Sequence, residues 1–195
     1  MNKFLLFDHF PDCRHPAFDW ERHNRLFKSK NVIFWAKSRQ VEFPEHWGCL
    51  SVKTVFAGVE NFVIDNEPFA LTPSKYLILN DGQHYGSYID SEEEVESFTI
   101  NFTSEFIKEI MPSLQQAPGQ LLDVPSPSDA KNIEFIQHFH PHDTLITPLI
   151  ARIRLLAKDF WQNQLELEDA YYYFFKALVQ KYHDSHQIIN KAPAT

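Results

Sequence analysis

Residues 59–102 read VENFVIDNEPFALTPSKYLILNDGQHYGSYIDSEEEVESFTINF, a run of short apolar segments separated by turn-forming residues. The turn-forming residues cluster at four places, 65–66, 72–74, 80–82 and 90–91. Short apolar segments bounded in this way are typical of antiparallel β-strands. A series of antiparallel strands can close into a cup, and a cup can hold a ligand.

Strand patterning extends beyond this stretch, and strands are predicted at residues 32–35, 50–56, 61–64, 76–80 and 95–102. Successive side chains of a strand point to opposite faces. In the last strand, Ser97, Thr99 and Asn101 therefore share a row with Val95. The other row holds Phe98, Ile100 and Phe102 and is predicted to be core. The polar row faces either solvent or the interior of a cup.

Helical patterning begins after the last strand, where the hydrophobic period changes from two to about three and a half. Thr103 or Ser104 suits the N-cap position of a short helix, and Pro112 is expected to end it. Residues 112–128 are rich in Pro and Ser and predict a surface connection.

A pair of longer helices is predicted near the end of the chain. Thr147 followed by Pro148 predicts the first helix start, and Asn163 with Glu166 resembles a capping box for the second. The short connection between them predicts an antiparallel pair.

Both helices carry apolar residues outside a single stripe, which suggests a second partner surface, and a symmetric dimer is the commonest form of such a partner. An ordinary thick core is the alternative. The residues expected at a dimer interface are Ile150, Ile153, Leu156, Phe160, Tyr171, Phe174 and Leu178.

The composition favours one folded domain with an extension. The chain has 195 residues, of which 44% are hydrophobic and 15% aromatic, enough to form a sizeable core. Cys13 and Cys49 are expected to be reduced thiols, since two distant cysteines form no disulfide framework. No apolar stretch is long enough for a signal peptide or a membrane span, so a cytoplasmic location is expected.

Charge argues against nucleic-acid binding by these residues. The net charge is −8 at pH 7, most of the acidic excess lies in the second half, and no basic run or basic helix face is present. Because DNA binding requires clustered Lys and Arg to replace counterions on the phosphates, the chain alone is expected to be a poor DNA binder.

The strand and turn residues also resemble a known family. They are Gly58, Glu60, Phe62, Ile64, Asp65, Pro68, Phe69, Leu71, Pro73, the segment YLILN at 76–80, Gly82, Gln83, His84 and Tyr85, then VESF at 95–98 and Phe102. This pattern resembles the N-terminal cupin-like domain of AraC-type transcription regulators, most clearly over residues 58–106. The helical pair matches the family's dimerisation element.

The resemblance implies a mainly β fold with α-helices: a cupin-like (double-stranded β-helix or jelly-roll) barrel followed by a C-terminal antiparallel helix pair. The barrel would take a small-molecule effector, and two subunits would form a homodimer. The implied divisions are an N-terminal arm at 1–30, a barrel with a short helix at 31–112, a connection at 113–144, a helical dimerisation element at 145–189 and a linker-like tail at 190–195.

The sequence departs from the family pattern in one respect. Family members carry a C-terminal DNA-binding domain of two helix-turn-helix units, whereas these residues contain no basic recognition helix. We therefore expect DNA binding only through a domain absent from this chain.

A histidine cluster raises a different possibility. His138, His140 and His142 alternate, so they would share one face of an extended segment, and imidazole is a common ligand of transition metals. A solvated loop is the alternative. Metal-dependent cupins place a His-x-His motif on a strand, where this sequence has only His84. A stand-alone cupin metal-binding protein or metalloenzyme is thus the second hypothesis.

Catalysis is otherwise not indicated. No nucleophile elbow and no phosphate-cradling glycine loop occur in a chain with five glycines. We expect no enzyme activity and no cofactor. If the barrel takes an effector, strand position suggests the contacts Trp35, Thr54, Tyr76, Ile78, His84 and Tyr85. A structural dimeriser with a filled barrel is the third hypothesis.

Overall fold

The computed structural model describes residues 3–115, 132–136, 139–184 and 188–191. The N-terminal half comprises β1 (Phe4–Phe7), α1 (Trp20–Ser29), β2 (Asn31–Trp47), β3 (Ser51–Ala57), β4 (Glu60–Ile64), β5 (Glu67–Leu71), β6 (Lys75–Leu79) and β7 (His84–Asn101). The C-terminal half comprises α2 (Ser104–Gln115), β8 (Asn132–Phe135), β9 (Phe139–Pro141), α3 (Ile146–Ala157), α4 (Gln164–Asp184) and β10 (Ile188–Lys191).

Two long strands form the frame of the barrel. β2 and β7 pair antiparallel from Ile33–Ile100 at one end to Trp47–His84 at the other. β7 pairs on its other edge with β4 through its first half and with β3 through its second half. β5, β6 and β9 extend the sheet, and β1, which is parallel to β2 at the edge, brings it to eight strands.

The turn residues mostly act as predicted. Asp65 and Asn66 have φ values of 51° and 67° and connect β4 to β5 as a two-residue hairpin, for which Asx residues are favoured. Gly82, at φ 74°, lies in the turn between β6 and β7. The turn expected at residues 90–91 is wrong: β7 continues through it, and its pairing with β2 shifts register there instead.

The sheet separates two apolar clusters. Inside the barrel, Val55, Phe62, Leu77 and Val95 belong to one cluster of buried residues. On the other face of the sheet, the predicted core row of Phe98, Ile100 and Phe102 packs with the helices in a second, larger cluster. Alternation along β3 and β7 therefore assigns one row to the barrel interior and one to the helices.

The helix boundaries differ from prediction at two places. Thr103 does cap α2, because its Oγ1 accepts a hydrogen bond from the backbone of Phe106 at 3.1 Å. However, Pro112 lies inside α2, whose described bounds are Ser104–Gln115. Proline at this point therefore does not end the helix, although it lacks a backbone N–H donor. The connection predicted at 112–128 otherwise lies outside the described residues.

The start of α3 is the second difference. The helix begins at Ile146, before the predicted N-cap Thr147. The N-cap is Leu145, whose side chain makes no capping hydrogen bond. Asp143, two residues earlier, supplies the acceptor at this helix start, because its Oδ1 accepts hydrogen bonds of 2.7 Å from the backbone of both Leu145 and Ile146. α4 packs on α3. Residues 188–191, which we expected to lie at a helix end and in a tail, form β10 and pair with β8.

The residues predicted for a dimer interface lie inside the chain. Six of the seven are buried in the cluster between sheet and helices, and Leu156 is partly buried against it. This corrects the residue assignment: helical periodicity shows which face is buried but not against what. The exposed apolar residues of this region are Leu145, Leu155, Trp161, Leu165 and Tyr173.

The predicted fold class, a cupin-like barrel followed by a helix pair, is confirmed. The N-terminal arm is not a loose segment, because β1 is paired with β2 and α1 is an ordered helix. None of the helices in the described ranges has the length and apolar character needed to cross a membrane.

Candidate functional site

One end of the barrel interior holds a cavity of about 70 Å³. Residues from β2, β3, β4 and β7 form most of its wall, and α1 and the segment before it cover it in part. It is lined by Phe10, His23, Asn24, Phe27, Phe34, Phe43, His46, Trp47, Gly48, Cys49, Lys53, Glu60, Tyr85, Ser87, Ser97, Thr99 and Asn101. The volume accommodates a few water molecules, so a larger ligand needs a shift of the covering segment.

The cavity has a polar floor on β7. Ser97, Thr99 and Asn101 are all buried and all line the cavity. The polar row that sequence alone could place in solvent or in a cup therefore faces the interior. Hydroxyl and amide groups that line a cavity offer hydrogen bonds to a ligand.

Two charged residues also lie in this wall. Glu60 begins β4 and is 8% exposed, and its Oε2 accepts a hydrogen bond from Ser97 Oγ at 2.6 Å. Burial raises the pKa of the Glu60 carboxyl, although the Lys53 charge and the hydroxyls of Ser97 and Ser87 oppose the rise. Lys53 Nζ lies 5.0 Å from the centre of the Tyr85 ring.

Aromatic side chains line the cavity beside this polar row, and Phe34 of β2 is the cross-strand neighbour of Thr99. Phe34 stands beside Phe10 and Phe43, with ring centres 5.0 and 6.3 Å away respectively. His46 contacts the Tyr85 ring at 4.6 Å. This combination of apolar wall and a few polar groups is typical of small-molecule sites.

Helix α1 covers the cavity through His23, Asn24 and Phe27. Asp19 caps this helix by accepting a 2.8 Å hydrogen bond from the backbone of Arg22. The His23 ring lies 4.5 Å from that of Phe27. Burial, with a smaller contribution from His46, lowers the pKa of His23 to about 4. The helix therefore packs on the cavity with a neutral histidine at neutral pH.

A wider cleft adjoins the cavity. It lies between the segment 9–14 and the ribbon formed by β2 and β7, and apolar residues such as Val41, Tyr88 and Ile89 contribute to it. Phe10, Phe43 and Ser87 line both spaces. The side chain of Phe10 thus stands between the cavity and the cleft.

The predicted effector contacts are distributed over three places. Of the six, Tyr85 lines the cavity. His84 lies at the rim, paired with Glu45 Oε2 at 3.1 Å. The other four, Trp35, Thr54, Tyr76 and Ile78, lie on the face of the sheet that is turned to the helices.

Those helix-facing residues join the barrel to the helices. The Arg154 guanidinium of α3 lies 5.1 Å from the Trp35 ring and pairs with Glu96. Tyr76 donates a 3.3 Å hydrogen bond from its hydroxyl to Asp143 and shares another with Tyr182.

Lys53 and Glu60 are the cavity residues that sequence reasoning missed. Each lies in line with buried apolar residues: Lys53 precedes Val55 on β3, and Glu60 precedes Phe62 and Ile64 on β4. A charged residue at an alternate position among apolar strand residues was the feature of the sequence that could have indicated a polar site inside the barrel.

The histidine cluster is only partly described, because His138 lies outside the described residues. His140 and His142 do share a face, as predicted, since their rings lie 5.4 and 5.7 Å from that of Tyr76. His142 Nδ1 and Thr147 Oγ1 are 3.0 Å apart. Within the part of the chain that the structure covers, no group of three or more metal-binding side chains could hold an ion.

The fold is similar to that of ToxT from Vibrio cholerae. An apo structure of a ToxT variant matches with a TM-score of 0.54 and 13% identity over 84% of this chain and 60% of that chain. Wild-type ToxT with bound unsaturated fatty acid matches with a TM-score of 0.50 and 12% identity over 85% of this chain and 58% of that one. At this identity the likeness shows the fold, that of the cupin-like domain of an AraC-family regulator.

The chain thus spans about 60% of the ToxT chains that it matches. No protein-family model matches the sequence. No curated protein matches it either.

Proposed function

We propose that this chain is the effector-sensing and dimerisation domain of an AraC-type transcription regulator, with no enzymatic activity of its own. The observation that carries this proposal is the cavity in the barrel, which has a polar floor and an aromatic wall and is covered by α1. DNA would be bound by a helix-turn-helix domain outside these residues, and the regulator would act in the cytoplasm.

The similarity to ToxT supports the sensing role. One of the matching ToxT structures holds an unsaturated fatty acid. The cavity here also combines apolar and polar lining, so we propose an effector with a polar group and an apolar body. The adjoining cleft offers additional space for that body beyond Phe10.

The covering helix supplies a route by which an effector could act. His23, Asn24 and Phe27 of α1 line the cavity together with strand residues. A ligand would therefore contact both the barrel and the arm, and it would bind one arrangement of the arm more tightly than another. Such a difference in affinity is what a ligand needs in order to shift a conformational equilibrium.

A ligand screen with a cavity-filling variant tests the proposal. A small-molecule library is screened by thermal shift, since a ligand that binds only the folded state raises its stability. Hits are expected to lose their effect in Thr99→Leu, which fills the cavity, and to keep it in Thr72→Leu, which lies in a turn away from it. Hits that bind Thr99→Leu unchanged, or a library without hits, would contradict the sensing role.

We propose that two copies pair through the exposed apolar surface of the helical region. Leu155, Trp161, Leu165 and Tyr173 are 62%, 76%, 77% and 60% exposed, and apolar surface of this kind marks interaction sites. Sedimentation equilibrium is expected to show a dimer that Trp161→Ser weakens and Val59→Ser, on the barrel, leaves intact. A monomer at all concentrations would refute pairing.

A further inference from the structure

Two opposite charges line the cavity without contacting each other. Glu60 lies on β4 and Lys53 on β3, and both line the same space. Glu60 accepts its hydrogen bond from Ser97, while Lys53 Nζ lies over the rings of Tyr85 and Phe62 at 5.0 and 5.9 Å. No direct ion pair joins them among the residues that the structure describes. The two groups nevertheless influence each other electrostatically.

A purely structural role does not require this arrangement. A buried carboxyl is costly to maintain, and its cost is offset best by a direct cationic partner. Linking β4 to β7 through Ser97 could be achieved by a neutral amide. Glu60 and Lys53 therefore place one acceptor and one donor in the same cavity, beside the polar row of β7.

We infer that Lys53 and Glu60 together bind the polar head group of the effector, and that this head group accepts a hydrogen bond from Lys53 and donates one to Glu60. A neutral amide or hydroxyl has both capacities. The apolar body of the ligand would lie among Phe10, Phe34 and Phe43. This inference rests on the proposed sensing function and specifies the chemistry of its ligand.

The same geometry disfavours charged head groups. A carboxylate has no proton to donate, and its negative charge would add to the cost of an ionised Glu60 carboxyl, whose pKa burial already raises. An ammonium or amidinium would donate to Glu60 but would be repelled by Lys53. The neutral head group is the one that satisfies both residues, and in this respect the site would differ from one made for a free fatty acid.

Four probes of nearly equal shape test the inference: benzamide, benzoate, benzamidinium and toluene. Each is titrated at one pH into the whole chain, and binding is followed by chemical shifts of the Ser97 and Thr99 amides. With about nine heavy atoms, a probe is expected to bind with a Kd on the order of 1 mM. Benzamide should bind at least about tenfold more tightly than benzoate or benzamidinium.

Charge-changing variants should alter this order in a defined way. In Glu60→Gln the side-chain amide can donate to a carboxylate, so benzoate should gain at least about tenfold while benzamide loses affinity. In Lys53→Met benzamide should weaken and benzamidinium should gain. Glu93→Gln, on an exposed residue of β7, should keep the order of the unmodified chain.

The outcomes distinguish failure of this inference from failure of the proposed sensing function. If the four probes bind equally well, the cavity binds ligands without recognising a head group, and the inference fails while the sensing function stands. If benzoate binds as tightly as benzamide, or if the Glu60→Gln preference is unchanged, the inference also fails. If no probe shifts the cavity resonances, both the inference and the sensing function are contradicted. If the Glu60→Gln variant does not fold, the probe preferences of Lys53→Met test the inference in its place.

Discussion

Two glycines with the same backbone conformation, Gly58 and Gly82, differ in their surroundings. Both have φ of +74°, where a residue with a Cβ is strained. A Cβ at Gly58 would lie 2.7 Å from Val95 Cγ2 and 3.2 Å from Val95 Cα, whereas a Cβ at Gly82 meets nothing within 4 Å. The backbone conformation is thus common to both, and the steric conflict belongs to Gly58 alone.

We expect Gly82→Ala to cost about 1–2 kcal/mol in the free energy of unfolding, the cost of the left-handed conformation. Gly58→Ala should cost a further 1–3 kcal/mol or so, because Val95 is in the core and its backbone must shift. Urea denaturation of both variants measures the difference. Equal losses in the two variants would show that Val95 moves aside freely.

Asp143 supports a second prediction for a single side chain. Its Oδ1 accepts hydrogen bonds from the backbone of Leu145 and Ile146 at the start of α3, and its carboxylate pairs with Lys181 of α4. Asp143→Ala should destabilise the chain by about 1–2 kcal/mol through loss of these hydrogen bonds. Asp143→Asn keeps an acceptor and should retain part of this stability in thermal or urea unfolding. An Asn variant as unstable as the Ala variant would show that the charge of Asp143, and not its hydrogen bonds to the helix start, matters.

At the scale of the element, the acid sensitivity of α1 follows from His23. Its pKa is lowered to about 4 by burial and, to a smaller extent, by His46, against about 6.5 in an unfolded chain. Between these values the detached helix binds a proton that the docked helix does not. Docking of α1 is therefore fully favourable above pH 6.5 or so and weakens as the pH falls towards 4.

Hydrogen exchange measures this directly. Protection of the α1 amides should decrease between about pH 6.5 and 4, relative to the amides of β7, and His23→Phe should remove much of that decrease. His9→Gln changes an exposed histidine and serves as the control. Protection that is independent of pH, or a decrease that His23→Phe leaves unaltered, would contradict the role of His23.

Helix boundaries show what local patterns could and could not predict. Thr103 or Ser104 was predicted as the cap of α2 because a hydroxyl there is followed by a helical period, and both features are local; the structure assigns the cap to Thr103. The predicted end of α2 at Pro112 and the predicted start of α3 at Thr147 were wrong. The position of a helix end also depends on packing and on other hydrogen-bonding side chains nearby, such as Asp143.

At the scale of the whole molecule, Phe102 joins the sheet to the helices. Its ring centre lies 5.8 Å from that of Phe106, 5.5 Å from Tyr171 and 5.3 Å from Phe175. The cluster around it extends from β2, β3 and β7 to α2, α3 and α4. Barrel and helices should therefore unfold together.

Phe102→Ala is expected to cost about 3–5 kcal/mol, since it removes a fully buried ring and leaves a cavity. Unfolding in urea, followed by far-UV and near-UV circular dichroism, should remain a single transition with a lower midpoint. Phe69→Ala removes a ring that is 36% exposed and should cost much less. Two separate transitions in the unmodified chain would show that the barrel and the helices are independent units.

The sequence by itself determined which residues share a face. The alternation of polar and apolar residues at 95–102 assigns Ser97, Thr99 and Asn101 to one row, because the period of a strand is two whatever surrounds it. Clusters of turn-forming residues placed the turns at 65–66 and 80–82, and the resemblance to AraC-type regulators implied a barrel followed by a helix pair.

Only the tertiary structure decided what each face meets. Helices α3 and α4 cover one side of the sheet. Trp35, Thr54, Tyr76 and Ile78 therefore face the helical core, whereas Tyr85 lines the cavity. The tertiary structure also brings Lys53 and Glu60, which lie on separate strands, to the same cavity. Such relations depend on contacts between segments far apart in the chain, and a local period carries no information about them.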